Sequence, residues 1–141
     1  MSSVALDERL VRDSYPVAEL PLCQLRLMDD TRFPWLILIP RRSGVSEVFD
    51  LEAADQRQLW HEVGEVGRML KTLTQADKIN VANLGNVVSQ LHVHVVARKS
   101  DDDAWPGPVW GHGAPQPYDR NDLASRRDYL LAQLDGMKLQ L

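Results

Sequence analysis

The sequence has 141 residues, which is enough for one domain with a hydrophobic core and short for two. Hydrophobic residues make up 44% and charged residues 26%, a balance that is typical of a folded globular protein and excludes disorder over most of the chain. The net charge of −4 argues against binding to a nucleic-acid polymer, because such proteins present a basic surface, but it is compatible with a small anionic ligand.

The sequence predicts a cytoplasmic protein with no membrane partner. Cys23 is the only cysteine, so an internal disulfide cannot form, and its apolar neighbours indicate a buried strand position. Residues 1–9 lack the basic segment and apolar run of a signal peptide. No stretch approaches the roughly 20 apolar residues that a membrane-spanning helix needs.

The chain is predicted to begin with a short helix and a pair of strands. Apolar residues recur at helical spacing within residues 4–14, and this helix is expected to end at Tyr15-Pro16. Residues 20–28 alternate in polarity like a strand, and the continuous apolar run 35–40 predicts a central strand buried on both faces. A turn-rich segment separates the two strands, so we expect them to pair as a hairpin.

A long helix is predicted in the middle of the chain. Residues 45–49 are a candidate for a further short strand, and Asp50 is the expected N-cap of the helix. Across residues 51–73 the apolar side chains recur at steps of four and three, which predicts one buried stripe along the helix. Gly64 and Gly67 near this stripe allow another element to approach closely, and a second subunit is one candidate.

The second half of the chain is predicted to contain two more strands, over residues 78–82 and 91–98, and a last helix over 121–135. Between the second of these strands and the helix lies the tract Trp105-Pro106-Gly107-Pro108-Val109-Trp110-Gly111, in which proline and glycine exclude regular structure. Its two tryptophans are candidates for a lid, a base-stacking wall or a tail packed on a partner subunit.

Several charged residues and histidines outside the main motif are interpreted without a catalytic role. Arg98 and the acidic run 101–103 are interpreted mainly as solvated groups. A positive potential near the site is the alternative role for Arg98, and attraction of a cation is the alternative role for the acidic run. His61 on the long helix is interpreted as a surface or packing residue. Nothing in the spacing demands a role for His112.

Two histidines stand out in the run Gln90-Leu91-His92-Val93-His94-Val95-Val96. Since side chains alternate across a strand, Gln90, His92 and His94 share one face, and the apolar residues between them share the other. The apolar face packs on a core, so the histidine face looks toward water or a ligand. Two imidazoles with Cβ atoms roughly 7 Å apart form a compact site that can carry charge near neutral pH.

Three interpretations of the histidine pair are open. In the first, His92 is a nucleophile on phosphorus, because an imidazole is available as the free base near neutral pH, and His94 helps to hold the phosphate. In the second, both histidines ligate a metal such as zinc in a hydrolase, which requires a third ligand that the sequence does not identify. In the third, the histidines only satisfy structural hydrogen bonds.

The segment that starts at Gly85 resembles the signature of the histidine-triad (HIT) family. That signature is His-φ-His-φ-His-φ-φ, where φ is hydrophobic, preceded by a Gly-Gln-x-x-x segment. It stands here as Gly85-Asn86-Val87-Val88-Ser89-Gln90-Leu91-His92-Val93-His94-Val95-Val96. Upstream, a strand, a turn with Asp29, a strand that ends at Ile39-Pro40-Arg41 and the long helix follow in the family's order, so the resemblance covers about residues 20–98.

The resemblance implies an α+β fold, in which an antiparallel sheet of about five strands carries the long helix and further short helices. We expect a single domain over residues 1–141, with its core at about 20–98 and the tryptophan tract and last helix in 99–141. The family pattern also implies a homodimer.

Members of this family hydrolyse or transfer nucleotidyl groups, so the resemblance implies a nucleotide-binding enzyme that acts at an α-phosphate. The middle triad histidine, the nucleophile, falls on His92, and the third, a phosphate and structural partner, falls on His94. The ribose-binding residue falls on Asp29, with Asp30 as the alternative if the alignment slips by one residue. The implied substrates are dinucleoside polyphosphates or nucleoside phosphoramidates, and the implied chemistry needs no metal or other cofactor.

The chain departs from the family pattern at three positions. Gln90 stands where the first triad histidine is expected, and glutamine donates and accepts hydrogen bonds but cannot carry a proton charge. Asn86 stands in place of the family's glutamine, and Val87 in place of a hydroxyl residue of some branches. We expect Gln90, Asn86 and the family's loop asparagine, which falls on Asn83, to bind the nucleotide or its phosphate. The lost histidine leaves a nucleotide-binding module without turnover as the alternative function.

Overall fold

The computed structural model describes residues 4–141, so the first three residues of the predicted domain lie outside the described residues. The regular elements in chain order are α1 (Glu8–Asp13), β1 (Ser14–Glu19), β2 (Cys23–Met28), β3 (Trp35–Pro40), a 3₁₀ helix (Val48–Asp50), α2 (Ala53–Thr74), β4 (Lys78–Ala82), β5 (Val93–Arg98) and α3 (Arg120–Leu134). The five strands form one antiparallel sheet in the order β1-β2-β3-β5-β4. The predicted α+β fold with about five antiparallel strands, one long helix and short helices is confirmed.

The predicted hairpin is formed by β2 and β3, which pair from Cys23 opposite Pro40 to Leu27 opposite Leu36. β3 then pairs with β5, and β5 with β4, so the chain crosses over from the hairpin to the other end of the sheet through α2. All residues of β3 and β5 are buried, as expected for strands covered on both faces.

One strand lies where the sequence predicted only the end of a helix. β1 starts directly after α1 and contains Pro16. Proline has no amide N–H and would interrupt an inner strand, but β1 is an edge strand, and its pairing with β2 shifts register between Pro16 and Ala18. The edge position explains why Pro16 is compatible with this strand.

The predicted short strand over residues 45–49 is wrong. Residues 45–47 are a loop, and residues 48–49 belong to the 3₁₀ helix. The Asp50 carboxylate accepts hydrogen bonds from the backbone N–H groups of Ser46 and Glu47, so it caps this turn rather than the long helix. α2 begins at Ala53, beyond the reach of this cap, and Glu52 is its N-cap residue.

α2 packs on one face of the sheet along the predicted apolar stripe. The fully buried stripe residues are Leu59, Val63, Val66 and Leu70. At Gly67 an added Cβ would lie 3.7 Å from the Ile79 side chain of β4 and 3.8 Å from that of Val95 in β5, so the element that approaches this glycine is the sheet. No neighbouring atom lies within 4 Å of a Cβ built at Gly64. Within residues 4–141, no helix has both the length and the apolar character needed to cross a membrane.

The opposite face of the sheet carries a second buried cluster, which is formed with α1 and the segment that follows β5. Its members are Leu10, Phe33, Trp35, Ile37, Ile39, Val96, Ala104 and Val109. The sheet is therefore covered on both faces, by a long helix on one side and by short or irregular segments on the other.

Arg98 is a structural residue rather than a solvated charge. Its side chain is 2% exposed, and the guanidinium forms an ion pair with Asp102 at 2.8 Å. It also donates hydrogen bonds to the Asn80 side chain and the Gly107 carbonyl. A buried charge needs such partners, and these bonds hold the tryptophan tract against the sheet. The interpretation of Arg98 and Asp102 as solvated groups is therefore corrected.

Candidate active site

His92 and His94 lie together at the start of β5, on the face of the sheet opposite α2. His94 belongs to β5, whereas His92 directly precedes it, because the strand begins two residues later than predicted. The two ring centroids are 4.9 Å apart, and each residue is only 5% exposed. The structure thus brings together the two histidines that the sequence placed on one face.

A cavity of about 180 Å³, here called the histidine cavity, opens beside the two rings. α1 forms one wall through Arg9, Leu10 and Arg12, and the loop before β5 contributes Val87 and Val88. Sequence patterns did not connect α1 with this site, because no motif or periodicity joins segments that are so far apart in the chain.

The tautomer of His92 is set by the main chain. Its Nδ1 lies 2.7 Å from the carbonyl oxygen of Gln90, and a carbonyl oxygen can only accept a hydrogen bond. Nδ1 therefore carries the proton and donates it. In the neutral ring Nε2 is then left with a free lone pair, which makes it available as a nucleophile or base.

His94 is held in the opposite tautomer. Its Nδ1 lies 3.0 Å from Nε1 of Trp35, and an indole N–H can only donate, so Nδ1 accepts this bond and the neutral ring carries its proton on Nε2. Burial, with a smaller contribution from the charge of His92, lowers the pKa of His94 to about 3. His94 is therefore a neutral hydrogen-bond donor at any pH near neutrality.

Trp35 could have been identified from strand pairing. Ile37 of β3 lies opposite His94, and Trp35 is two residues from Ile37 on the same face. Trp35 is therefore the diagonal neighbour of His94, within reach of a large aromatic side chain. A correct pairing of the two predicted strands would have placed this indole beside the histidine.

The two tryptophans of the tract occupy different places. Trp110 packs edge-on against His94 at 5.3 Å and against Trp35 at 5.9 Å between ring centroids. Trp105 instead stacks near the Arg98 guanidinium, at 5.7 Å from the ring centroid. Trp110 therefore forms part of the wall behind His94, and Trp105 belongs to the anchor of the tract.

Asp29 lies just after β2, where it lines a second cavity of about 510 Å³, here called the Asp29 cavity. Asp30, Trp35 and two prolines of the segment before α3 also form its walls. One oxygen of the Asp29 carboxylate accepts a hydrogen bond from the backbone N–H of Tyr118 at 2.9 Å. The residues that line both cavities are Arg12, Asp13 and Met28. The two cavities are therefore adjacent.

Asp30, the alternative to Asp29, is already paired. Its carboxylate accepts hydrogen bonds from the Arg32 guanidinium, and both side chains are less than 10% exposed. Burial raises the pKa of Asp30, but the bonds from Arg32 and from backbone N–H groups outweigh it and leave the pKa below its ordinary value. Asp29 is accordingly the better candidate for contact with a ligand.

Gln90 does not line the histidine cavity. Its side-chain oxygen accepts a hydrogen bond from the backbone N–H of Asp7 at 2.7 Å, and its side-chain nitrogen donates to the carbonyl of Ala5 at 3.1 Å. The amide therefore joins the start of β5 to the N-terminal segment.

Asn83 and Asn86 lie on the loop between β4 and β5 and line neither cavity. Asn83 directly follows β4 and is half-buried, whereas Asn86 is exposed. The same loop reaches the histidine cavity through Val87, the position at which a hydroxyl residue of some branches was expected.

The metal interpretation finds no third ligand among residues 4–141, where no group of three or more His, Cys, Asp or Glu side chains is placed to hold an ion. His61 contacts the Lys138 carbonyl through Nε2 at 2.8 Å, on the far side of α2. His112 is exposed on the tract. Neither ring joins the pair.

Burial of a neutral His94 predicts an acid-sensitive stability. Its pKa of about 3 lies below the value of about 6.5 in an unfolded chain. Between these values the unfolded chain binds a proton that the folded protein does not, so the free energy of unfolding falls as the pH falls through this range. In His94→Gln this titrating ring is absent. We therefore expect the melting temperature of this variant, measured by calorimetry, to fall less than that of the wild type as the pH is lowered from neutral to about 4.

The matched control is His112→Gln, which replaces an exposed histidine and should keep the wild-type slope. Equal slopes for the wild type and His94→Gln would contradict the burial of a neutral imidazole at this position.

The chain is similar to known proteins in both sequence and fold. The HIT domain family matches residues 9–101. A histidine triad protein of Sinorhizobium meliloti 1021 is 48% identical, with a TM-score of 0.90 over 92% of this chain and 96% of that chain. One from Marinobacter aquaeolei VT8 is 40% identical, with a TM-score of 0.93 over 97% and 100% of the two chains. One from Bradyrhizobium japonicum is also 40% identical, with a TM-score of 0.90 over 94% and 98%.

No curated protein matches the sequence significantly. The family match nevertheless spans more than half of the chain, and the three crystal structures share its fold over nearly the full length. The chain belongs to the histidine-triad (HIT) family.

Proposed function

We propose that the protein is a nucleotide-binding hydrolase or nucleotidyl transferase that acts at an α-phosphate of a dinucleoside polyphosphate or nucleoside phosphoramidate. The HIT family is associated with nucleotide hydrolase and transferase activity. The observation that carries the proposal is the pair of opposed tautomers, which leaves a lone pair on Nε2 of His92 beside an N–H on Nε2 of His94.

In the proposed reaction, Nε2 of His92 attacks the α-phosphorus, a phosphorus–nitrogen bond forms, and the bond from phosphorus to the leaving group breaks. The leaving group departs with the bonding electron pair and takes a proton from solvent. Water then attacks the same phosphorus, the phosphorus–nitrogen bond breaks, and a nucleoside monophosphate is released as the water gives a proton to solvent.

The surrounding groups match the charges that develop in this reaction. The His92 ring becomes positive while it is bonded to phosphorus, and its Nδ1–H bond to the Gln90 carbonyl stabilises that charge. His94 is neutral and its ring is held by Trp35. In this proposal its Nε2–H donates a hydrogen bond to a phosphate oxygen, and the ring does not have to reorient for that.

The nucleoside is assigned to the Asp29 cavity. Its volume of about 510 Å³ lies within the range of small-molecule sites, and it adjoins the smaller cavity that holds the phosphate in this proposal. The Asp29 carboxylate accepts hydrogen bonds from the ribose hydroxyls. Asn83 and Asn86 are retained as donors to the part of the substrate that extends along the loop before β5.

With Cys23 buried and unpaired, the proposed setting is the cytoplasm.

His92→Ala should lower kcat on the order of 10³-fold or more, because the nucleophile acts in the chemical step, while the Kd for AMP stays within about tenfold. The assay uses chromatography to measure the AMP that is released from adenosine phosphoramidate and from diadenosine polyphosphates. His61→Ala, a histidine on the far side of α2, is the matched control and should retain wild-type rates.

Full activity in His92→Ala would exclude the nucleophile assignment. Binding of AMP by the wild type without product from any of these substrates would favour the binding module, the alternative suggested by glutamine at position 90.

Asp29→Ala should raise KM about tenfold or more with kcat little changed, because a hydrogen bond to a charged group contributes roughly 1.5–3 kcal/mol to binding. The discriminating control is the same comparison with substrates that lack the 2′- and 3′-hydroxyls. Wild type and Asp29→Ala should then have similar KM values, and a penalty that persists without the hydroxyls would contradict the ribose contact.

The homodimer is also part of the proposal. β4 is an edge strand, so its outer backbone groups have no strand partner among residues 4–141, and it exposes Val81. α2 also exposes Trp60, a second large apolar side chain available to a partner.

Light scattering during size exclusion should give twice the 16.0 kDa of one chain. Val81→Lys should shift this mass toward the monomer, because a charge on an edge strand opposes pairing. Lys78→Arg on the same strand is the control. A monomeric wild type would contradict the dimer without affecting the reaction proposed above.

A further inference from the structure

The N-terminal arm, residues 4–7, is joined to the start of β5 by one side chain. The Gln90 side-chain oxygen accepts from the backbone N–H of Asp7, and its nitrogen donates to the carbonyl of Ala5. These partners are 83 and 85 residues away in sequence. An amide that bonds one donor and one acceptor of an extended segment holds that segment as a neighbouring strand would.

The arm leads directly into the wall of the histidine cavity. The Asp7 carboxylate caps α1 by accepting from the backbone N–H of Arg9 and also pairs with the Arg9 guanidinium. Arg9 and Arg12 in turn line the cavity beside His92. The arm therefore connects directly to the helix that carries these two guanidinium groups, while Leu10 packs the same helix against the sheet.

The Asp7 carboxylate also belongs to the electrostatic surroundings of His92. Hydrogen bonds from Arg9, with a smaller contribution from the charge of His92, lower the pKa of Asp7 to about 2. Asp7 is therefore ionised at every working pH, and its pairing with Arg9 does not change across the range in which the enzyme would act.

Gln90 has two separate tasks in this arrangement. Its backbone carbonyl fixes the tautomer of His92, and its side chain is directed to the arm rather than into the cavity. A direct bond to phosphate would require the amide to leave Asp7 and Ala5.

We propose that Gln90 is a positioning residue, whose side-chain amide holds the N-terminal arm so that α1 forms the wall of the phosphate-binding cavity. This inference depends on the proposed function in one respect, namely that the histidine cavity binds the phosphate of the substrate. The wall acts on affinity for the phosphate portion of the substrate, while the chemical step depends on the histidines. Loss of the Gln90 amide should therefore raise KM more than it lowers kcat.

A matched pair at Asp7 tests the role of the arm. The backbone φ of Asp7 is −55°, which proline adopts without strain, so Asp7→Pro removes the N–H that Gln90 accepts. Asp7→Ala removes the same carboxylate but keeps the N–H. We expect Gln90→Ala to raise KM about tenfold over the wild type, and Asp7→Pro to raise it about tenfold over Asp7→Ala, with kcat within about threefold.

The double variant Gln90→Ala with Asp7→Pro should have nearly the KM of Asp7→Pro alone, because both changes break the same contact. Multiplied effects, or a loss of kcat in Gln90→Ala with KM unchanged, would overturn the proposal in favour of direct contact between Gln90 and the substrate. Gln90→Glu keeps the acceptor for Asp7 and loses the donor to Ala5, so an intermediate KM is expected.

Hydrogen exchange without substrate separates this inference from the proposed function. Gln90→Ala should speed amide exchange in residues 4–14 about tenfold or more, with exchange in β5 and the melting temperature close to wild type. Unchanged protection of residues 4–14 would overturn the proposal even in an active enzyme. Faster exchange there in a protein that releases no AMP would support the arm contact while the proposed function fails.

Discussion

Pairing of β3 with β5 is the constraint on which the candidate site depends. Ile37 lies opposite His94 in this ladder, and that register turns His94 toward Trp35 and Trp110 while Val93 and Val95 face α2. A slip by one residue would exchange the two faces and bury the imidazole under the long helix. Because both faces of β3 and β5 are buried, such a slip would also mismatch the packing of their apolar side chains on both sides of the sheet, which makes the register costly to change. The positions of the two histidine rings therefore depend on the packing of the hydrophobic core.

Two imidazoles with centroids 4.9 Å apart would repel each other if both were charged, and the structure avoids this by giving them different partners. Trp35 can only donate, so it fixes His94 as an acceptor at Nδ1, and the Gln90 carbonyl can only accept, so it fixes His92 as a donor. Burial keeps the pKa of His94 low. One ring is thus reserved as a neutral donor, and the other presents a lone pair.

The parts of this arrangement that repeat locally could be predicted from the sequence. The alternation around His92 and His94 placed both rings on one face, and the helical stripe placed α2 on the sheet. β1 was missed because Pro16 indicated a break, and only the order of the strands shows that it lies at an edge. The wall formed by α1 depends on contacts between distant segments, for which no local pattern exists. Arg98 pairs with the nearby Asp102, but the irregular fold of the segment after β5, which brings the two together, has no periodicity from which it could be predicted. The residues that could be predicted are those to which the proposed chemistry is assigned, and those that could not be predicted enclose the candidate site.

The enclosing segments have a common construction. On one side of the histidines α1 is held through Gln90, and on the other the tryptophan tract is held through Arg98, which is bonded to Asp102 and Gly107. Both segments are short or irregular, so they gain little stability from their own hydrogen-bond ladders, and a few polar contacts fix their positions. Neither contact belongs to the β3–β5 ladder that sets the register of His94. Under the proposed function, affinity for a substrate could therefore vary through these two contacts while His92 and His94 keep their places in the sheet.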